Sequence, residues 1–76
     1  MLITVKQRVI NTYEFKIETG PIGSSAYAEE LLKRDPTCRS VIPKTFITYD
    51  EEQVISTTIE DEDGNVLGKW VANTGK

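Results

Sequence analysis

Apolar residues recur at every second position or nearly so along the start of the chain, with Ile3, Val5, Val9, Tyr13, Phe15 and Ile17 on either side of Ile10-Asn11-Thr12. Alternation of this kind predicts two half-buried strands joined by a tight turn. Parity decides the turn. A two-residue Asn11-Thr12 loop would set Arg8 opposite Phe15 and Lys6 opposite Ile17 on one face, mixing charge with core. A three-residue loop, Ile10 to Thr12, instead pairs Val9 with Tyr13 and Val5 with Ile17, and on the reverse face sets Arg8 against Glu14. The three-residue loop is therefore expected.

The period then changes. Gly20-Pro21-Ile22-Gly23 ends the hairpin, and Ser24 or Ser25 is expected to cap a helix running from about Ser25 to Arg34. Tyr27, Ala28, Leu31 and Leu32 fall on one face at helical spacing. Glu29 and Glu30 lie toward the positive end of the dipole, and Lys33 and Arg34 lie at the negative end. Pro36 disfavours helical geometry at Asp35 and closes the helix. After a loop from Thr37 to Lys44, the β-branched and aromatic content predicts strands at Thr45 to Tyr49, Gln53 to Glu60 and Val66 to Val71, read as an antiparallel meander. Glu62-Asp63-Gly64 supplies the last turn, and a three-residue loop there pairs Ile59 with Leu67 and Ile55 with Val71. That register leaves Val54, Ser56, Thr58, Gly68 and Trp70 on the opposite face.

The expected order is ββαβββ, a small two-layer α+β domain of residues 1–71, with about five mostly antiparallel strands, one short helix and a flexible tail at 72–76. A ten-residue helix is about 15 Å long and ~10 to 12 Å across, whereas five strands span roughly 20 Å or more. One helix cannot cover that sheet. Either the sheet curls around it or part of the sheet meets another protein chain, which is the argument for a homo-oligomer.

Composition narrows the chemistry. Seventy-six residues make one modest core, in which folding buries only about 60% of the unfolded surface. There is no histidine, and Cys38 is the only cysteine, so neither an internal disulfide nor a Cys-His nucleophile pair can form. Residues 1–44 hold seven Lys or Arg against five acids, and residues 45–76 hold two against seven. A net charge of −3 gives no electrostatic footprint for nucleic acid. No stretch approaches the ~20 apolar residues of a membrane span, and the N-terminal stretch carries no charged leader, so a soluble cytoplasmic protein is expected.

Several segments invite a site. Asp61, Asp63 and Asn65 match the first oxygen ligands of a calcium loop, but Gly64 falls two positions early, Val66 stands where that loop needs glycine and Ala72 where it needs glutamate. A hairpin turn accounts for them, and neither metal nor cofactor is expected. Gly23, Ser24 and Ser25 stand where free helix amides can hold a small anion or nucleotide, with Lys33 and Arg39 as cationic support; the lysine of a phosphate-binding P-loop is missing. The acids form two groups, Asp50, Glu51 and Glu52, and Glu60 with Asp61, Glu62 and Asp63. A β-strand between them sets them more than about 20 Å apart, too far for a paired-carboxylate enzyme. They read as solvated turns or as a patch for a basic partner. Trp70 reads as an exposed anchor if the helix lies on the Ile59 face, and as core if it lies on the other.

In size, acidity and lack of catalytic side chains the chain resembles the small accessory proteins that phages encode to bind and disable host factors, a resemblance of character that rests on no motif. The expected function is a non-enzymatic protein-binding module, an inhibitor or adaptor, using a sheet face or edge with Tyr49, Trp70 and the acidic turns. Its partner is another protein, itself or both. The alternative is a binder of a small anionic ligand at Gly23 to Ser25.

Overall fold

The computed structural model describes residues 1–72; the remainder of the expected tail, residues 73–76, lies outside the described residues. The elements run β1 (Leu2–Arg8), β2 (Thr12–Glu18), α1 (Ser24–Arg34), two single-turn 3₁₀ helices (Lys44–Phe46 and Glu51–Gln53), β3 (Ser56–Glu60) and β4 (Val66–Val71). The four strands form one antiparallel sheet in the order β2-β1-β3-β4. This is the expected α+β class with one strand fewer. Thr45 to Tyr49 is not a strand: Pro43 cannot donate a ladder hydrogen bond, Phe46 and Ile47 break the alternation, and the segment turns as a 3₁₀ helix.

In the first hairpin the loop has three residues, Val9 to Asn11, one position earlier than expected. Val5 therefore faces Phe15, Ile3 faces Ile17 and Lys6 faces Glu14. The register differs from the expected one by two residues, which leaves every side chain on its expected face. In the second hairpin the expected register holds at Glu60 opposite Val66, and a bulge then inserts one residue, so that Ile59 faces Gly68 and Thr57 faces Trp70. An offset of one exchanges faces. Gly68 and Trp70 consequently join Ile59 under the helix, and Val71 is left exposed.

α1 begins one residue early, at Ser24. Its N-cap is Gly23, which makes no side-chain cap bond, so neither serine caps the helix. Ser24 is buried, with its hydroxyl 3.3 Å from Met1 Sδ. The first turn carries no acid, whereas Lys33 and Arg34 do occupy the last turn. The Asp35 amide closes it on the Leu31 carbonyl at 2.7 Å. Ala28 and Leu31 are fully buried against Ile3, Val5 and Ile59. Burying a leucine contributes about 1.5 to 3 kcal/mol. The helix comes so close to β4 that a Cβ on Gly68 would sit 2.8 Å from Leu32 Cδ1.

The rest of the sheet's inner face is covered from within the chain. The connection between α1 and β3 lays Cys38 and Ile42 into the core, with Val41 and Ile47 packed behind them. Gln7 anchors it. This fully buried side chain donates from Nε2 to the Thr37 carbonyl and, at 3.2 Å, to Thr57 Oγ1, while its Oε1 accepts from the Tyr49 hydroxyl. On the inner face an irregular segment thus does what one short helix cannot, without the sheet curling around the helix. The outer face is polar, with Lys6 set between Glu60 at 3.2 Å and Glu14 at 3.9 Å and Lys16 bonded to Thr4. It is built for water.

Candidate functional site

The two edges of the sheet hold different surfaces. At the β2 edge the inner side of the strand presents Tyr13 and Phe15, and the connection brings aromatic residues to both. Tyr49 lies on Tyr13 with ring centroids 5.2 Å apart, and Phe46 stacks on Phe15 at 6.2 Å. Tyr13, Phe15, Pro43 and Phe46, with Glu14 and Lys16 at the rim, line an open groove of about 390 Å³. Phe46 remains 58% exposed. An aromatic side chain that the fold orders but does not bury is the raw material of a binding hot spot.

Arg39 fixes the far side of this surface. Its guanidinium lies 5.6 Å from the Tyr49 ring centre and donates to the Tyr49 carbonyl at 2.6 Å. Burial pushes the Tyr49 phenol upward, and the Arg39 charge opposes that only in part, so the hydroxyl stays protonated and keeps donating to Gln7. Asp50, Glu51 and Glu52 continue directly from Tyr49 and are exposed. The Asp50 amide donates to Gln53 Oε1 at 2.7 Å, and Glu51 accepts from the Thr37 hydroxyl at 3.2 Å. The charges at this surface are mixed: Glu14 and Lys16 border the groove, and the Arg39 guanidinium lies against Tyr49.

At the opposite edge α1 and β4 enclose a second open groove of about 460 Å³, lined by Ser25, Glu29, Leu32 and Lys33 on the helix and by Leu67, Gly68, Lys69 and Trp70 on the strand. Trp70 is half-buried there. It is neither the free anchor nor the deep core residue that the sequence left open; the β4 bulge puts it on the helix side, at the rim.

The remaining expected site residues disperse. Gly23, Ser24, Ser25, Lys33 and Arg39 do not form one pocket: Ser24 is buried, Ser25 and Lys33 share the α1–β4 groove with Glu29, and Arg39 is bound to Tyr49. Asp61 belongs to its turn. Its carboxylate accepts the amides of Asn65 and Asp63, both at 2.9 Å, and these bonds hold its carboxyl below the usual range. Gly64 takes φ +87°, as the turn requires. Glu62 accepts from the Leu2 amide at 3.3 Å, and Asp63 is exposed. β3 separates this turn from Asp50 to Glu52, so the two acidic groups stay apart. Among the described residues no group of three or more Cys, Asp or Glu is placed to hold a metal ion. Cys38 is buried, and its thiol is pushed up to about 12 by that burial and by the nearby Asp35. It stays a protonated core thiol at neutral pH. No described helix is long and apolar enough to cross a membrane.

Sequence reasoning missed the pairing of Phe46 with Phe15, because it placed Phe46 in a strand and Phe15 in the core. The available signal was local: Pro43 ahead of adjacent apolar residues Phe46 and Ile47 argues against a paired strand. No family model, no curated protein and no solved structure matches the chain.

Proposed function

We propose that this chain is a non-enzymatic protein-recognition module, an inhibitor or adaptor that grips a larger protein with the aromatic surface at the β2 edge. The observation that carries the reading is Phe46, stacked on Phe15 over an open groove and still mostly exposed. Leaving that ring in water costs stability that a small domain can ill spare. Seating it in a partner's pocket recovers the burial and supplies a rigid anchor. The groove carries one charge of each sign at its rim, Glu14 and Lys16, and such rim charges act chiefly on encounter rate. The buried, unpaired thiol fits a reducing compartment, and we place the protein in the cytoplasm on that ground.

The test is affinity capture from cells that naturally hold the protein, comparing wild type with Phe46→Ser. Phe46 is exposed, so the substitution should change stability by no more than about 1 kcal/mol. A specific partner retained by wild type and lost by the variant, with a matched melting temperature, supports the reading. Equal capture by both proteins refutes it.

A further inference from the structure

We infer that β4 is a self-pairing edge, and that two copies of this chain join there into one continuous eight-stranded sheet with Trp70 at the dyad. The Ala72 amide donates to the Ile55 carbonyl at 2.8 Å. Hydrogen-bonded and open positions alternate along an antiparallel strand, so Trp70 and Gly68 also face β3, and the amides and carbonyls of Lys69 and Val71 point to the open edge. An antiparallel second copy pairs through those two residues. A dyad at Lys69 would set Lys69 directly against its own copy, like charge on like charge, which opposes pairing. A dyad at Trp70 sets Lys69 of each copy opposite Val71 of the other and makes both sets of backbone bonds.

That register has two further consequences, and both fit the surface. Trp70 meets Trp70 of the second copy as a non-hydrogen-bonded pair, the closest kind, with Cα atoms about 4.5 Å apart. Val71, 59% exposed in the single chain, gains a neighbour. On the layer above, the helix stripe that borders the groove carries Glu29 and Lys33 one turn apart. Two-fold symmetry runs the helices antiparallel across the dyad, so the acid of one copy lies toward the base of the other. A surface with one charge of each sign on such a stripe is complementary to itself, and to no strongly acidic or basic peptide. The second copy is therefore the occupant we assign. The β2 edges then lie at the two far ends of the joined sheet, so the dimer would carry two aromatic surfaces. The bivalence rests on the function proposed above; the pairing does not.

Sedimentation and light scattering of the intact protein at rising concentration test it, together with far-UV circular dichroism. The expected result is a concentration-dependent dimer whose formation brings in an exciton couplet from paired indoles. Glu29→Lys and Lys33→Glu should each weaken the dimer by about threefold to tenfold through two symmetric contacts. The double variant should restore it. Val71→Pro removes an outward-pointing amide and should abolish the dimer; if that variant is unfolded, the charge exchange alone decides. A protein that stays monomeric at about 100 µM overturns the inference, since an intracellular dimer weaker than that would be largely dissociated. A dimer with no couplet and no response to the charge exchange overturns it equally. Loss of the dimer with Phe46-dependent capture intact would refute only this pairing.

Discussion

Replacing Gln7 by Leu tests whether the connection between α1 and β3 is a structural layer of the protein or an ornament on it. Gln7 is fully buried and holds three groups: the Thr37 carbonyl, the Thr57 hydroxyl and the Tyr49 hydroxyl. Leucine matches its shape closely enough to leave little cavity, so the cost is the loss of partners. Thr37 and Thr57 are buried, and each buried polar group left unpaired costs about 1 to 3 kcal/mol. Tyr49 is only half-buried, so its hydroxyl recovers part of its bonding from water. The expected destabilisation is about 2 to 4 kcal/mol, a large share of the ~4 to 11 kcal/mol available to a chain of this length. Tyr49→Phe removes one donor and should cost about 1 to 2 kcal/mol. Combined, the two should cost about 1 kcal/mol less than their sum, because the Gln7–Tyr49 bond can be lost only once. Urea denaturation followed by Trp70 fluorescence measures all four proteins. A Gln7→Leu variant within about 0.5 kcal/mol of wild type, or strict additivity, refutes the anchoring role.

Gly68→Val should displace the end of the Leu32 side chain, which its first carbon would meet at 2.8 Å, at a cost of about 1 kcal/mol; adding Leu32→Ala should remove that clash in the same denaturation assay, and an equal loss in both backgrounds would contradict Leu32 as the obstacle. Asp61 titrates below the usual carboxylate range through amide bonds from Asn65 first; for Asp35 burial, the largest single effect, pushes upward, and hydrogen bonds from Ser40, Arg39 and Thr37 together outweigh it and lower the carboxyl. Both therefore add stability that is complete above the ordinary carboxylate range and is lost as pH falls through their lowered values. Thermal melts from neutral to acid should show a decline that Asp61→Asn flattens. The dispersal of Gly23, Ser24, Ser25, Lys33 and Arg39 predicts no thermal shift with millimolar phosphate or nucleotide, because a ligand that does not bind the native state cannot stabilise it; a shift abolished by Lys33→Ala would restore the anion-binding reading.

Much of the fold was legible because it depends on period alone. The alternation of Ile3, Val5, Phe15 and Ile17 and the helical face of Ala28 and Leu31 identify their elements and core sides even though the first hairpin's register differs by two. Where the inference failed, the deciding interaction lies far away in sequence. Nothing near Trp70 announces the bulge that moves it under the helix; the inserted residue lets β4 follow β3 while Leu67 packs on the core. The connection was harder still. Its covering role depends on Gln7, thirty residues before its Thr37 partner, and a lone glutamine in an alternating strand gives no sign that it will be buried. Of the site residues, Tyr49 and Trp70 were recognisable by type, but only the fold separates them onto opposite edges and supplies Phe46.

The most direct test of the central claim compares contact at two positions on one protein. A photoreactive phenylalanine analogue is introduced at Phe46 in one preparation and at Thr58, on the polar outer face, in another, and each is irradiated in an extract that contains the natural partner. The account predicts a discrete adduct from position 46 that excess unlabelled wild type competes away, and none from position 58. A competed adduct from position 58 alone would place the contact on the outer face and contradict it.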